Sequence, residues 1–222
     1  MKAVFCRFLA LACCGAVLGA PALDAQITAT APQGPPSEYA QRIDLSGGFY
    51  YAHFNPSPGH QVEAINLFGG EGSATLWLHP LWGLEASVRE ASGKMSIPPS
   101  LVNGVQVPTN PPMREYLVLF GPSFRLYRGP RLTLGVHSLL GAAYGSFSSG
   151  FPAGIQPQDV GIYNDKLTMG LAIGGFADYN LSSRWAVRFV ADWQPTHYGL
   201  NYQNESADSA GIVYKFGSMH GQ

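Results

Sequence analysis

The sequence predicts an all-β fold: eight antiparallel strands closed up-and-down into a barrel that spans a membrane. Three observations carry this. From Arg42 to Gly217 apolar-periodic runs alternate with turns, and no stretch holds a 3.6-residue period. Charged residues are only 12% of the chain and aromatics another 12%, with 27 glycines, whereas soluble domains are roughly 25% charged. The connections between runs alternate short and long, as in a barrel with short turns at one membrane face and long loops at the other.

Residues 1–25 read as a secretory signal peptide. Lys2 and Arg7 accompany a short apolar run from Phe8 to Ala20, the small residues Gly19-Ala20-Pro21-Ala22 follow, and cleavage after Ala25 fits. The run falls short of the about 20 apolar residues of a spanning helix. All three cysteines, Cys6, Cys13 and Cys14, lie in this segment, so the exported chain has no thiol for a disulfide or a thiolate-metal site. Acylation at Cys13 or Cys14 is the alternative targeting reading, but the apolar run before them is very short. Residues 26–41 lack apolar periodicity, carry three prolines and read as a flexible lead-in. The barrel is expected over 42–217, with a short tail at 218–222. The formal net charge of −1 offers no basic surplus for nucleic acid.

Eight strands are expected at about 43–54, 67–78, 84–91, 114–126, 132–145, 166–179, 185–194 and 208–217. The connections after the second, fourth and sixth are short: His79-Pro80-Leu81-Trp82-Gly83, Tyr127-Arg128-Gly129-Pro130-Arg131 and Asn180-Leu181-Ser182-Ser183-Arg184. The others are long and belong outside the cell, which puts both termini on the periplasmic side. In the second long loop, Asn103-Gly104 between β-branched residues predicts a protruding hairpin with a type I′ turn. Pro122 inside the fourth strand predicts a bulge or local irregularity after Gly121, because proline cannot donate to the ladder.

Successive strand residues point to opposite faces, and this sorts the side chains. Trp185, Val187, Phe189, Ala191 and Trp193 share one face of the seventh strand; Arg188, Asp192 and Gln194 share the other. Eight strands enclose only enough room for side chains to fill, so the bulky apolar set is expected to face lipid. Trp185, Trp193, Tyr116, Tyr144, Tyr179 and Tyr51 lie near strand ends and are expected to form the aromatic girdles. The polar face then becomes the interior, holding Asp44, Glu71, Glu85, Arg89, Glu115, Arg125, Asp178, Arg188, Asp192 and Lys215. Both signs are present, so pairing can satisfy these groups in a closed lumen, which argues for a plug over an open pore. Ser138 falls on the apolar face of the fifth strand, tolerable where its hydroxyl bonds locally.

The segment Ser209-Ala210-Gly211-Ile212-Val213-Tyr214-Lys215-Phe216 resembles the β-signal of small outer-membrane barrels. Ser209, Gly211, Tyr214 and Phe216 match its polar, glycine and alternate aromatic positions, although six residues follow Phe216, where the family's aromatic is commonly terminal. Leu119-Phe120-Gly121-Pro122-Ser123-Phe124 is similar to the strand-four region of the same proteins. The resemblance covers residues 42–217 and is to the outer membrane protein beta-barrel domain proteins of the OmpA/OmpX-like superfamily. It implies an eight-stranded barrel in the bacterial outer membrane, contact with outer-membrane lipid and lipopolysaccharide, and reading of the last strand by the barrel assembly machinery through strand addition.

No enzymatic chemistry, cofactor or metal is expected. His53, His60, His79, His137, His197 and His220 show no metal-ligand spacing. Some small barrels of this kind are lipid-modifying enzymes with a membrane-exposed Ser and His, but His137 and Ser138 are strand neighbours and cannot serve each other as base and nucleophile. Gly69-Gly70-Glu71-Gly72 lacks the lysine and helix of a phosphate loop. The expected role is therefore structural or surface-interacting, carried by the external loops. The alternatives are a membrane-embedded lipid-modifying hydrolase and a secreted soluble β-barrel binding a small apolar ligand.

Overall fold

The period-two runs become long strands in the computed structural model, which describes residues 41–56 and 63–218. They are β1 (Gln41–Asn55), β2 (Ile65–His79), β3 (Trp82–Lys94), β4 (Leu101–Val102), β5 (Val105–Gln106), β6 (Pro112–Arg128), β7 (Leu132–Ser146), β8 (Lys166–Asn180), β9 (Trp185–Thr196) and β10 (Gln203–Ser218). All but β4 and β5 form one closed antiparallel barrel, in which β10 pairs with β1 from Gln41↔Ser218 to Asn55↔Asn204. The signal peptide with its cysteines, the lead-in to residue 40, His60, His220 and the tail beyond Ser218 lie outside the described residues.

Every barrel strand reaches beyond its expected range at one end or both, and the excess is largest at the long-loop end. There β10 begins at Gln203, so its connection from β9 is only residues 197–202. Strands of 12 to 17 residues exceed the about 9–11 that a bilayer demands. β4 and β5 are the hairpin announced by Asn103-Gly104, and both residues adopt the positive φ of a type I′ turn, 51° and 79°. A short 3₁₀ turn at Pro157–Val160 interrupts the loop after β7.

Of the bulge or local irregularity expected after Gly121, the structure shows a local loss of pairing without a bulge. Pro122 faces outward, pairs with Leu84 of β3, and leaves the register with β7 unchanged between Phe120↔Leu140 and Ser123↔His137. Between these two pairs, Gly121 and Pro122 have no partner in β7. A missing N–H removes one ladder bond, and the positions on both sides suffice to hold the frame. A register shift comes later, between Arg125 and Tyr127, where Leu126 and Tyr127 both turn outward.

The exterior is apolar. Phe49, Val118, Phe120, Leu126, Leu140, Ile173, Phe189 and Ile212 are among its exposed large side chains. That arrangement is inverted relative to a soluble barrel and removes the reading of a secreted soluble protein with an apolar core beneath a polar surface. The lumen holds two clusters. A large apolar cluster occupies the long-loop half, from Tyr50, Leu117, Leu119 and Leu139 up to Phe54, Phe147 and Tyr163; a small one of Trp77, Phe176 and Val190 lies near the short-turn end. The expectation of a wholly polar interior is thus corrected. On β6, Leu117-Val118-Leu119-Phe120 is apolar on both faces, one side packing the lumen and the other meeting lipid.

Candidate functional site

Inward-facing positions of consecutive strands stack side chains along the lumen, and the polar ones sort into tiers. Nearest the short turns, Asp178 on β8 accepts from Arg188 Nε of β9 at 2.6 Å and from Lys215 Nζ of β10 at 3.1 Å. Asp44 on β1 takes Arg125 Nη2 of β6 at 3.0 Å and the indole N–H of Trp77 at 2.8 Å. The Arg125 guanidinium lies 3.6 Å from the Trp77 ring centroid, a cation–π contact shut away from water.

The middle tier is built around Arg89 and His137. Arg89 Nη2 donates to Asp192 at 2.6 Å and lies 3.3 Å from Glu71, while Nη1 donates to Gln194 at 2.9 Å. His137 places Nε2 2.8 Å from Asp192 and Nδ1 3.3 Å from Glu85. Carboxylates only accept, so both contacts are satisfied when the ring is the doubly protonated imidazolium. With that charge, Asp44, Asp178, Glu71, Glu85 and Asp192 are matched one for one by Arg89, Arg125, Arg188, Lys215 and His137.

Above them, Glu205 on β10 accepts from Gln194 Nε2 at 2.9 Å and from the Thr196 hydroxyl at 2.7 Å. Glu115 on β6 accepts from the Tyr198 hydroxyl at 2.7 Å. Burial, then the adjacent Glu115, push the Tyr198 hydroxyl well above its ordinary value, in keeping with its role as donor.

The loops close over this tier. Met95, Ile97 and Val107 from the connection between β3 and β6, Phe147, Ile155, Val160, Ile162 and Tyr163 from that between β7 and β8, and Tyr198 all join the apolar cluster. Phe147 packs edge-on against Tyr163 and Tyr198, with ring centroids 5.6 and 5.3 Å apart. One side of the lumen stays thin. Gly48 and Gly211 face each other across β1 and β10, and a Cβ on either would strike the neighbouring backbone. A small cavity of about 10 Å³ adjoins them, bordered by Ser46, Glu71, Arg188 and Ser209.

All ten residues of the expected interior network lie in the lumen, nine of them buried and Glu71 with its side chain 8% exposed. The six aromatics expected in girdles face outward at two levels. Tyr179 and Trp185 are near the short turns, where Trp185 contacts Tyr214 at 4.8 Å. Tyr51, Tyr116, Tyr144 and Trp193 are towards the long loops. Of the assembly-signal residues, Ser209 and Gly211 point inward, whereas Tyr214 and Phe216 stack outward at 5.6 Å. Sequence reasoning missed Trp77, His137 and Glu205 as network members, although strand parity with Glu71 and Lys215 carried the signal for Trp77 and Glu205; Gln194 was placed on the inward face with Asp192. His137 is buried in the lumen and Ser138 is on the outer face, so they form no catalytic pair. Among the described residues no group of three or more His, Cys, Asp or Glu is arranged to hold a metal ion.

No protein-family model matches the chain, and no curated protein matches it in sequence. Solved structures do. Neisserial surface protein A is 12% identical with a TM-score of 0.51 over 78% of this chain and 97% of its own. The outer membrane protein OprG of Pseudomonas aeruginosa is 14% identical with a TM-score of 0.51 over 81% and 97%. Ail, the attachment invasion locus protein of Yersinia pestis, is 21% identical over 79% and 99% at a TM-score of 0.48. With a closed eight-stranded meander, an apolar exterior between two levels of aromatic side chains and the likenesses to Neisserial surface protein A and OprG, the chain has the fold of the small β-barrels of the bacterial outer membrane.

Proposed function

We propose that the protein is a non-enzymatic outer-membrane barrel that acts through its long-loop end as a structural or surface-interaction element, its lumen plugged by its own side chains. The observation that carries this is the continuous filling of the lumen, ion-paired near the short turns and apolar beneath the long loops. Each of the five acids in the two lower tiers has a counter-charge, which a solvated pore would not need. The long-loop end faces outward in this reading, the signal peptide at residues 1–25 directs export and is cleaved, and residues 26–41 lead into the barrel. Lipopolysaccharide surrounds the outer rim, and the barrel assembly machinery reads β10 during insertion. Two measurements test the proposal. Reconstituted into a planar bilayer, the protein should give no steady ion conductance, and a stable open channel would overturn the plug. A peptide tag inserted between Asn103 and Gly104 should be labelled on intact cells; labelling only after the outer membrane is opened would reverse the orientation.

A further inference from the structure

Charge is distributed unevenly between the two ends of the barrel. At the long-loop end the exposed charges are mixed, with Glu63, Glu90, Asp159, Asp165 and Asp208 beside Lys94, Arg114 and Lys166. At the short-turn end, among the described residues, every charge outside the buried lumen is an arginine: Arg42, Arg131 and Arg184 exposed, and Arg128 half-buried. The acids nearest them, Asp44 and Asp178, are buried and already hold Arg125, Arg188 and Lys215.

The placement of these arginines is as regular as their sign. Each adjoins, in sequence, a residue at the edge of the apolar exterior: Arg42 next to Ile43, Arg128 to Tyr127, Arg131 to Leu132 and Arg184 to Trp185. Tyr127, Leu132 and Trp185 are 53%, 39% and 47% exposed on the outer face. The four belong to β1, β6, the β6–β7 turn and the β8–β9 turn, and so are spread around the rim. A guanidinium one residue beyond an interfacial aromatic sits at the depth of lipid phosphates, and its planar fork pairs with a phosphate through two hydrogen bonds.

We propose that this arginine collar binds the phosphate headgroups of anionic phospholipid in the leaflet facing the short turns, fixing the depth of the barrel and enriching such lipid around it. The inference rests on the membrane-spanning reading above, and it extends the lipid-facing exterior by one ring of charge. The occupant follows from charge complementarity and from continuity with the apolar belt.

The test uses the full exported chain, refolded into phosphatidylcholine vesicles with or without phosphatidylglycerol. The readout is the temperature at which the fast-migrating folded band converts to the unfolded one. Phosphatidylglycerol should raise that temperature at low salt, and high salt should erase the rise. Combined Arg42→Gln, Arg131→Gln and Arg184→Gln should abolish the rise, the matching Arg→Lys set should restore it, and Lys94→Gln with Arg114→Gln and Lys166→Gln at the other end should leave it intact. Equal temperatures in the two lipids, or a rise that survives the glutamine set, would overturn the collar. Retention of the protein by purified peptidoglycan sacculi, lost in the glutamine set and without any lipid effect, would reassign the collar to the wall polymer and likewise overturn the proposal. A chain that enters neither kind of vesicle overturns the membrane reading itself, an outcome distinct from insertion without lipid preference.

Discussion

Arg89 shows what a single lumen residue does. Its guanidinium joins Glu71, Asp192 and Gln194, and through Gln194 it reaches Glu205 and the Tyr50 hydroxyl. Replacing it with methionine conserves much of the volume but strands two carboxylates beyond the reach of bulk water. Breaking a buried pair from one side costs about 3–5 kcal/mol, so Arg89→Met should lower the unfolding free energy of the refolded barrel, read from its urea titration, by that amount. Arg114→Met, on the exposed outer face, should stay within about 0.5 kcal/mol of the parent. Equal effects would mean that the lumen network contributes nothing to stability. The charges at this scale were legible in the sequence because period two assigns a side chain to a face. Their partners were not, because Arg89 and Asp192 are far apart in the chain and meet only across the closed lumen.

Asp165 illustrates the element scale. It sits before β8 and accepts from the Phe147 and Ser148 amides at 2.6 and 2.8 Å and from the Ser148 hydroxyl at 2.6 Å, tying together the two ends of the long loop. Partial burial opposes ionisation, but the Ser148 hydroxyl and these amides outweigh it and hold the carboxyl below its usual value. The folded value is therefore lower than the unfolded one. The tie is at full strength above the ordinary carboxylate range and weakens as pH falls through that range to the lowered value. Hydrogen-exchange protection of the Phe147 and Ser148 amides, corrected for intrinsic rate, should decline over that window, and Asp165→Ala should show low protection at every pH. Unchanged protection in the variant would rule out the tie. Phe216 carries a second prediction at this scale. If β10 is the assembly signal, Phe216→Ala should refold in detergent as the parent does yet accumulate less in the outer membrane of cells, and equal accumulation would remove that role. Pro122 shows how far element-level reasoning reaches: the proline rule forecast a bulge or a local irregularity, and in a long strand paired on both sides only a local loss of pairing with β7 results.

For the whole molecule, closure of β10 on β1 leaves no free edge and joins every strand into one cooperative unit. The native barrel should therefore survive detergent and migrate faster than the boiled chain on a denaturing gel, and a heat-insensitive mobility would contradict closure. The sequence by itself determined the strand positions, the alternation of short and long connections, which charges face inward, and the apolar exterior. All of these are local properties of a chain with a two-residue period. Only the tertiary structure decided that half the lumen is apolar, which partners Trp77, His137 and Glu205 meet in it, and that residues of the long loops fold over its mouth. Those facts depend on which inward-facing side chains share a height once tilted strands are staggered into a barrel, and no single strand contains that stagger.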